Sequence, residues 1–458
     1  AAMALAAVLA AVPAALLQAT TTLLTQDIAA VPFLWMLPLA VYLLTFIVAF
    51  ERPAVCPRAP LAIALAIGGL LSIWRGPAGV ALVLALATMA VAGLALHGEL
   101  ARRAPPADRL TRYYLAVAAG GAGGSALVAF GAPLTFARVI EYPVTLVAAL
   151  VTLALVVWSD RHTSSHPQKQ RLLAQGLMLA ALVLTAATDI ESRLVAMQTT
   201  HASRSFFGTV RVRDLRTADG AHIRHLIHGT TLHGMQILDD NRRLEPTAYF
   251  RPTSGIGRAM AALRARREPL RVVVVGLGIG TLAAYGREGD RLTFIEIDPQ
   301  VAALSAGPSP AFTFLRQGPA TTDIVVGDGR LVLEQQPPLH ADLLVVDAFS
   351  SDAVPVHLIT VEALGQYERH LRDARGLIAI HVSNRYLDLV DVAVATAHAH
   401  GLTAVHIEDA ATTLTSRASD WVLLARDPAS VTPFGAVASS NAHPWTDTWS
   451  APWQARKR

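Results

Sequence analysis

Seven apolar segments occupy most of the first two hundred residues, and they constrain the fold more than any other feature of the sequence. A helix needs about 20 apolar residues to cross a membrane. The segments lie near residues 2–24, 28–50, 59–74, 77–98, 110–133, 139–158 and 172–190. We therefore predict an integral membrane domain over residues 1–198 with about seven transmembrane helices.

The composition excludes several classes of protein. Of the 458 residues, 53% are hydrophobic and only 16% are charged, which is atypical of a soluble protein. The net charge is +4, but the arginines are scattered and form no basic stripe, so we expect no nucleic-acid partner. Because Cys56 is the single cysteine, an intramolecular disulfide and a cysteine-based metal cage are both excluded, and we expect no metal.

One apolar segment carries a pattern for close helix packing. Gly120 and Gly124 have the spacing that lets two helix backbones approach closely where lipid supplies no hydrophobic driving force. The pattern predicts packing within the chain, with a homodimer as the alternative.

After the apolar segments, residues 199–265 read as a β-hairpin region. SFFGTVRVRD and HIRHLIHGTTLHGMQ alternate between apolar and polar residues, which is typical of antiparallel strands. Four histidines in the second stretch raise the possibility of a zinc site. Alternation places them on different faces, and no Cys or acid completes a ligand set, so we interpret them as strand-surface residues: His222, His225, His228 and His233.

Residues 266–458 predict an α/β domain of the Rossmann-like type found in S-adenosylmethionine-dependent methyltransferases. The run RVVVV is typical of a strand buried on both faces of a parallel sheet. Gly276, Gly278 and Gly280 predict a tight strand-to-helix turn, and Glu296 ends the next strand, where a carboxylate can hold two ribose hydroxyls. Asp328 follows a third strand and suits an adenine amino group, or simply caps a turn.

Polar residues also follow the fourth and fifth predicted strands. VVDAFSSDAVP places Asp347 and Asp352 after the fourth strand, and HVSNRY places His381 and Asn384 after the fifth. Ligands of open α/β sheets bind beyond the carboxyl ends of the strands. We therefore predict that these four side chains lie at a substrate site.

From about residue 205 to 425 the chain resembles the spermidine synthase family of aminopropyltransferases, and the whole chain resembles its membrane-fused bacterial members. The resemblance rests on HGTTLHGMQ, TAYF, GLGIGTLA, EIDP, GDG and VVDAFSSDAVP, in that order. It implies that Gln236, Glu296 and Asp328 hold decarboxylated S-adenosylmethionine. It also implies that Tyr249 and the fourth-strand acids position an amine acceptor such as putrescine.

Two departures from the family pattern leave the donor open. Soluble spermidine synthases have Asp in the glycine loop, paired with the aminopropyl ammonium of the donor, where this chain has Ile279. The fourth-strand acids are also further apart than in the DSSD pattern of the family. We therefore expect either decarboxylated or intact S-adenosylmethionine as co-substrate.

The predicted reaction is cleavage of this donor at the aminopropyl side, with release of 5′-methylthioadenosine. A carboxylate can orient a neutral amine and accept its proton, and we assign this catalytic role to Asp352, with Asp347 in support. Three alternatives remain open. They are a lyase or cyclase without an external acceptor, a methyltransferase, and a nucleoside-sensing domain that regulates the membrane half.

Two arguments about the side of the membrane conflict. Arg and Lys cluster in the loops 51–58, 101–112 and 161–171, which the positive-inside rule places in the cytoplasm. After a seventh span the remaining chain would then lie outside. Because the donor is a cytosolic metabolite, we instead expect a bacterial inner-membrane protein whose catalytic domain is cytoplasmic.

Overall fold

The computed structural model describes residues 2–27, 32–74, 76, 78–217, 220–229, 231–348, 355–384, 387–411, 413 and 415–455. The chain forms two compact units, Ala1–Gln198 and Thr199–Arg458. Each unit has its own buried apolar core. We describe the two units separately.

The first unit is helical over its described residues. Its helices are α1 (Ala2–Asp27), α2 (Pro32–Glu51), α3 (Arg58–Leu71), α4 (Ala78–Arg102), α5 (Leu110–Ala126), α6 (Ala132–Thr135), α7 (Glu141–Ser159) and α8 (Pro167–Met197). A π-helical stretch, Leu127–Gly131, joins α5 to α6.

Five helical stretches of this unit are long and apolar enough to cross a membrane: Ala2–Thr25, Gly79–Arg102, Ala107–Thr135, Glu141–His162 and Pro167–Met197. Trp35–Glu51 and Arg58–Leu71 are also apolar but shorter. The described residues thus contain five candidate spans, whereas the sequence predicts seven.

The two glycines of α5 face α1 within the same chain. A Cβ atom built on Gly120 would lie 2.1 Å from the carbonyl oxygen of Ala7, and one built on Gly124 would lie 2.1 Å from that of Ala11. No side chain fits at these distances, so both positions require glycine. The predicted small-residue pattern therefore brings α1 and α5 together inside the unit.

A network of charged side chains joins the ends of α3, α4 and α7. Glu99 is fully buried and accepts hydrogen bonds from Arg58, Arg102 and Arg103. Asp160 accepts from Arg58 at 2.7 Å and from Arg103 at 2.6 Å. A buried carboxylate persists only when it is paired, so this network holds the first two basic loops and the end of α7 together at one end of the unit.

The second unit begins with an antiparallel four-stranded meander. Its strands pair in sequence order: β1 (His201–Ser205), β2 (Gly208–Arg216), β3 (His222–His228) and β4 (Thr231–Ile237). The sequence predicts such a hairpin region from its alternating pattern.

A mixed seven-stranded sheet comes next in the chain, in the order β10-β11-β9-β8-β5-β6-β7. The strands are β5 (Arg271–Val275), β6 (Arg291–Glu296), β7 (Thr321–Val326), β8 (Leu343–Val346), β9 (Leu377–His381), β10 (Thr403–Asp409) and β11 (Ser419–Ala425). Strands β5 to β9 are parallel to one another, and β11 runs antiparallel to both of its neighbours, β9 and β10. The helices are α9 (Gly255–Arg266), α10 (Pro299–Ala306), α11 (Phe314–Gln317), α12 (Gly329–Gln335), α13 (Val361–Arg369) and α14 (Leu389–Ala399).

The valines of β5 explain why this strand is central. Val272 and Val274 belong to the apolar core on one face of the sheet, and Val273 and Val275 belong to the core on the other face. A strand covered on both faces reads as a continuous apolar run, as the sequence predicted.

The structure corrects one element of the predicted dinucleotide-like motif. The glycine loop is followed by a 3-10 segment, Thr281–Tyr285, and not by an α-helix. The backbone N–H of Gly286 bonds back to Ala283 and Gly286 itself is extended, which ends the segment. Because β6 already begins at Arg291, the chain has room only for this turn and a short loop.

Candidate functional site

A narrow cavity lies at the carboxyl edge of the parallel strands. It is lined by residues that follow β5, β6, β7 and β8 and by residues of the meander: Phe207, Leu226, His228, His233, Tyr249, Val275, Gly276, Gly278, Ile295, Glu296, Ile297, Asp298, Val301, Gly327, Asp328, Gly329, Asp347, Ala348, Pro355, His357 and Leu358. Six sequence-predicted site residues are among them: Tyr249, Gly276, Gly278, Glu296, Asp328 and Asp347.

The glycine loop lets β5 approach the end of β8. Gly276 has a φ of +98°, and a Cβ atom there would lie 2.1 Å from the carbonyl oxygen of Asp347. Gly278 also has a positive φ and borders the cavity. Gly280 adopts a left-handed conformation but packs against Leu315, outside the cavity lining.

Glu296 is positioned by two backbone amides. Its Oε2 accepts a hydrogen bond from the N–H of Leu277 at 2.9 Å, and its Oε1 accepts one from the N–H of Asp298 at 2.9 Å. Burial raises the pKa of Glu296, although these backbone hydrogen bonds oppose the shift. Each carboxylate oxygen has a second lone pair, so the pair of oxygens can accept two vicinal hydroxyl groups.

Asp298 is a lining residue that the sequence analysis did not single out. Its Oδ1 accepts the N–H of Gln300 as the N-cap of α10, and its Oδ2 accepts the hydroxyl of Ser205 at 2.7 Å. The second contact fixes the turn between β1 and β2 beside Glu296. An acid before Pro299 is a recognisable helix-start signal, but only the fold shows that it borders a cavity.

Asp328 both caps a helix and lines the cavity. Its Oδ1 accepts the backbone N–H groups of Arg330 and Leu331 at 3.0 Å. Its Oδ2 lies 3.1 Å from Nε2 of His357, an exposed side chain that also borders the cavity. The two interpretations of Asp328 from the sequence, a cap and a binding residue, are therefore structurally compatible.

Asp347 contacts the central ring of an aromatic stack. Nδ1 of His381 is 2.7 Å from Oδ1 of Asp347, and both side chains are buried. The His381 imidazole stacks between Tyr249, at a centroid distance of 4.4 Å, and Trp421, at 4.8 Å. Burial, and then the Asp347 charge, raise the pKa of Tyr249, so its hydroxyl stays protonated. The stack fixes the orientation of the Asp347 carboxylate.

Four predicted site residues are not among the cavity-lining residues. His381 lies behind Asp347 and Tyr249, which it contacts, and Asn384 accepts the backbone N–H of Leu387 at 2.8 Å. The amide of Gln236 is buried, donates to Thr313 and to the carbonyl of Arg243, and accepts the N–H of Thr313. Gly280 is the fourth, as described above. Asp352, the predicted proton acceptor, lies outside the described residues.

The structure corrects the interpretation of two histidines as surface residues. His228 is buried, and its Nε2 donates to the carbonyl of Phe207 at 3.0 Å. His233 lines the same cavity, and the centroids of the His228 and His233 rings are 5.4 Å apart. Burial lowers the pKa of His228, and it lowers the pKa of His233 to about 4. The alternating pattern missed this because a register irregularity interrupts the pairing of β3 and β4.

Ile279 does not face the cavity. It is buried in the core, and a Cβ atom built on Gly234 of β4 would lie 2.7 Å from its side chain. The glycine loop thus packs against β4 at the position where the resemblance expects an acid.

The charge of the cavity is one-sided. Four carboxylates line it, those of Glu296, Asp298, Asp328 and Asp347, whereas its described lining contains no Arg or Lys. Within the part of the chain that the structure describes, no group of three or more His, Cys, Asp or Glu residues could hold a metal ion. The negative charge of this described lining is complementary to a positively charged ligand.

The volume of the cavity sets a condition on binding. It measures about 160 Å³, whereas pockets for small organic ligands measure about 300 to 1,000 Å³. A ligand of that size can enter only if lining side chains move apart. His357 is the exposed side chain in contact with Asp328, so its movement would open the cavity beside that carboxylate.

Comparisons with known proteins give weak structural likenesses. No protein-family model and no curated protein sequence matches the chain. It is similar to a probable spermidine synthase from Corynebacterium glutamicum, with 19% identity, coverage of 50% of this chain and 78% of that chain, and a TM-score of 0.36. It is also similar to a spermidine synthase in complex with the transition-state analogue AdoDATO, with 13% identity, coverage of 55% of this chain and 83% of that chain, and a TM-score of 0.35. For MNMC2 from Aquifex aeolicus the identity is 14%, the coverage is 64% of this chain and 85% of that chain, and the TM-score is 0.31. Likenesses with such low identities and TM-scores do not indicate a function, so the function is inferred from the residues of the cavity.

Proposed function

We propose that the second unit is an aminopropyltransferase-like enzyme that transfers the aminopropyl group of decarboxylated S-adenosylmethionine to an amine. The observation that carries the proposal is the cavity that joins a ribose-type carboxylate, Glu296, to the pair of Asp347 and His381. The five candidate spans of the first unit support a membrane-anchored enzyme.

The charge of the lining favours the decarboxylated donor over the intact one. Decarboxylated S-adenosylmethionine carries a sulfonium and an ammonium, both cationic. Intact S-adenosylmethionine also carries a carboxylate, and the described lining has no Arg or Lys to pair with it. An unpaired charge in a buried site is costly, and the four carboxylates of the described lining attract the two cationic groups of the decarboxylated donor.

The residues suit a displacement at the carbon beside the sulfonium. The amine nitrogen forms the new C–N bond, the C–S bond breaks, and its electron pair returns to sulfur to give methylthioadenosine. The product amine loses one proton. Asp347, oriented by His381, attracts and orients the amine, and we assign the proton to Asp352, which follows β8 in the sequence.

Product analysis tests this function and separates it from the alternatives. The purified full-length protein is incubated with each form of the donor, with and without putrescine, and the nucleoside product is identified. We expect methylthioadenosine from the decarboxylated donor, and only with the amine. Methylthioadenosine formed without amine would indicate a lyase, S-adenosylhomocysteine would indicate a methyltransferase, and binding without turnover would indicate a sensor.

Substitution of the two fourth-strand acids tests their separate roles. Asp352→Asn keeps the shape of the side chain but cannot accept a proton, so we expect turnover to fall by about 10²- to 10⁴-fold with unchanged methylthioadenosine affinity. Asp347→Asn should reduce both, because Asp347 packs against Gly276 of the nucleoside loop. Exposed Asp189→Asn is the control. Near-wild-type turnover of folded Asp352→Asn would contradict the assignment.

A further inference from the structure

His233 lines the cavity and carries a buried ring nitrogen, Nε2, that has no hydrogen-bond partner among the described residues. Gly278 and Asp347 line the same cavity. A buried polar group without a partner destabilises the protein, so a ligand that supplies the partner gains binding free energy.

The main chain around His233 is fixed by contacts on both sides. Its carbonyl oxygen accepts the hydroxyl of Tyr249 at 3.2 Å and lies 3.2 Å from a Cβ atom built on Gly278. Strand β4 thus holds the imidazole between the glycine loop and the aromatic stack that carries Asp347. In this part of the cavity Asp347 lies next to the glycine loop.

The imidazole is neutral at pH 7. Its pKa is lowered to about 4, first by burial and then by the nearby His228 and His381, and Asp347 opposes the shift only in part. A neutral imidazole accepts a hydrogen bond through its unprotonated nitrogen. It therefore offers an ammonium group an acceptor without repelling the adjacent sulfonium.

Gln236, on the same strand, cannot make this contact as it stands. Its Nε2 donates hydrogen bonds to the carbonyl of Arg243 and the hydroxyl of Thr313, and its Oε1 accepts one from the N–H of Thr313. The residue also lies outside the cavity lining. Ile279 is also turned away, against Gly234. Two of the positions that the resemblance assigns to the donor, Gln236 and Ile279, therefore contact protein, whereas His233 lines the cavity.

We propose that His233 binds the aminopropyl arm of the donor by accepting a hydrogen bond from its ammonium group. The inference rests on the proposed function, because it takes the donor to be a nucleoside with a cationic arm. It assigns to His233 a binding role and not a proton-transfer role.

Two ligands that differ in the arm test the inference. Calorimetric titration of the full-length protein in detergent compares decarboxylated S-adenosylmethionine with methylthioadenosine, which lacks the ammonium. For His233→Leu we expect the affinity for the donor to fall by about 10- to 100-fold, with unchanged affinity for methylthioadenosine. His233→Gln, which keeps an acceptor, should restore most of the loss.

The matched control is His225→Leu on β3. His225 is half-buried and burial lowers its pKa to about 4, as for His233, but it does not line the cavity. It should leave both affinities unchanged. Equal effects of His233→Leu on the two ligands, or no effect on either, would overturn the inference while leaving the proposed function intact. If the wild-type protein bound neither ligand, the proposed function and the inference would both fail.

Discussion

Glu296 is the residue on which nucleoside binding should depend most. Both of its oxygens are oriented by backbone amides, and the carboxylate faces the cavity. Glu296→Gln replaces one acceptor oxygen with a donor, so we expect methylthioadenosine binding to weaken by about 1.5 to 3 kcal/mol, the contribution of hydrogen bonds to a charged group. Calorimetric titration measures this, and unchanged affinity would place the nucleoside elsewhere.

The same carboxylate should make binding dependent on pH. Burial raises the pKa of Glu296 above its ordinary value of 4.5. Because the ionised form accepts the ribose hydroxyls, affinity is complete above the raised pKa and is lost as the pH falls through it. The loss should therefore begin at a higher pH than for an ordinary glutamate. In Glu296→Gln this titration should be absent, and an unchanged pH profile in that variant would contradict the assignment.

Cavity-lining residues that follow strand ends could be predicted from the sequence, whereas those whose position depends on packing could not. Glu296, Asp328 and Asp347 lie at or just after the ends of parallel strands, and parallel strands bring their carboxyl ends to one edge. His233 could not be assigned in this way, because a register irregularity between β3 and β4 disturbs the alternation that assigns faces. The contacts of Gln236 with Thr313 join positions far apart in the chain, which no local pattern shows.

At the scale of elements, the glycine loop and the end of β8 form one structural unit. Gly276→Ala would place a Cβ atom 2.1 Å from the carbonyl oxygen of Asp347, at a residue with a φ of +98°. We expect a loss of folding stability well above the roughly 1 to 2 kcal/mol that a left-handed conformation alone costs, together with weaker methylthioadenosine binding. Thermal unfolding and calorimetry measure the two effects.

Gly289→Ala is the matched control for this clash. Gly289 also has a positive φ, +87°, but a Cβ atom there would meet only the Pro269 side chain at 3.5 Å. It should therefore show the conformational cost without the clash and without a change in ligand affinity. Equal destabilisation by the two substitutions would mean that the strand ends separate easily and that the loop does not depend on close packing.

The elements were predicted unevenly for a physical reason. The continuous valines of β5 predicted a strand covered on both faces, and both apolar cores confirm it. The prediction of an α-helix after the glycine loop was wrong, because the glycine spacing specifies the turn but not the conformation of the next residues. The 3-10 segment Thr281–Tyr285 results from the short distance along the chain to β6.

At the scale of the whole molecule, the sequence divides into an apolar half and an α/β half because their compositions differ so strongly. Lengths were harder to predict than apolar character, since Arg58–Leu71 is apolar but shorter than the five candidate spans. Hydropathy reports composition, whereas the end of a helix depends on local turns. The number of crossings is therefore the quantity that the sequence determines least well.

The side of the membrane on which the α/β unit lies can be tested directly. Arg58 and Arg103 are joined through Glu99 and Asp160, so these basic loops share one end of the helical unit, which the positive-inside rule places in the cytoplasm. A cytosolic donor requires the α/β unit on that same side, whereas a single crossing by α8, the candidate span that follows Asp160, would put it on the opposite side. We expect protease to spare this unit in spheroplasts and to cleave it in inverted membrane vesicles, with detergent-solubilised protein as the cleavage control. Cleavage in spheroplasts would put the cavity outside the cytoplasm, and its cationic ligand would then have to be an exported or external compound.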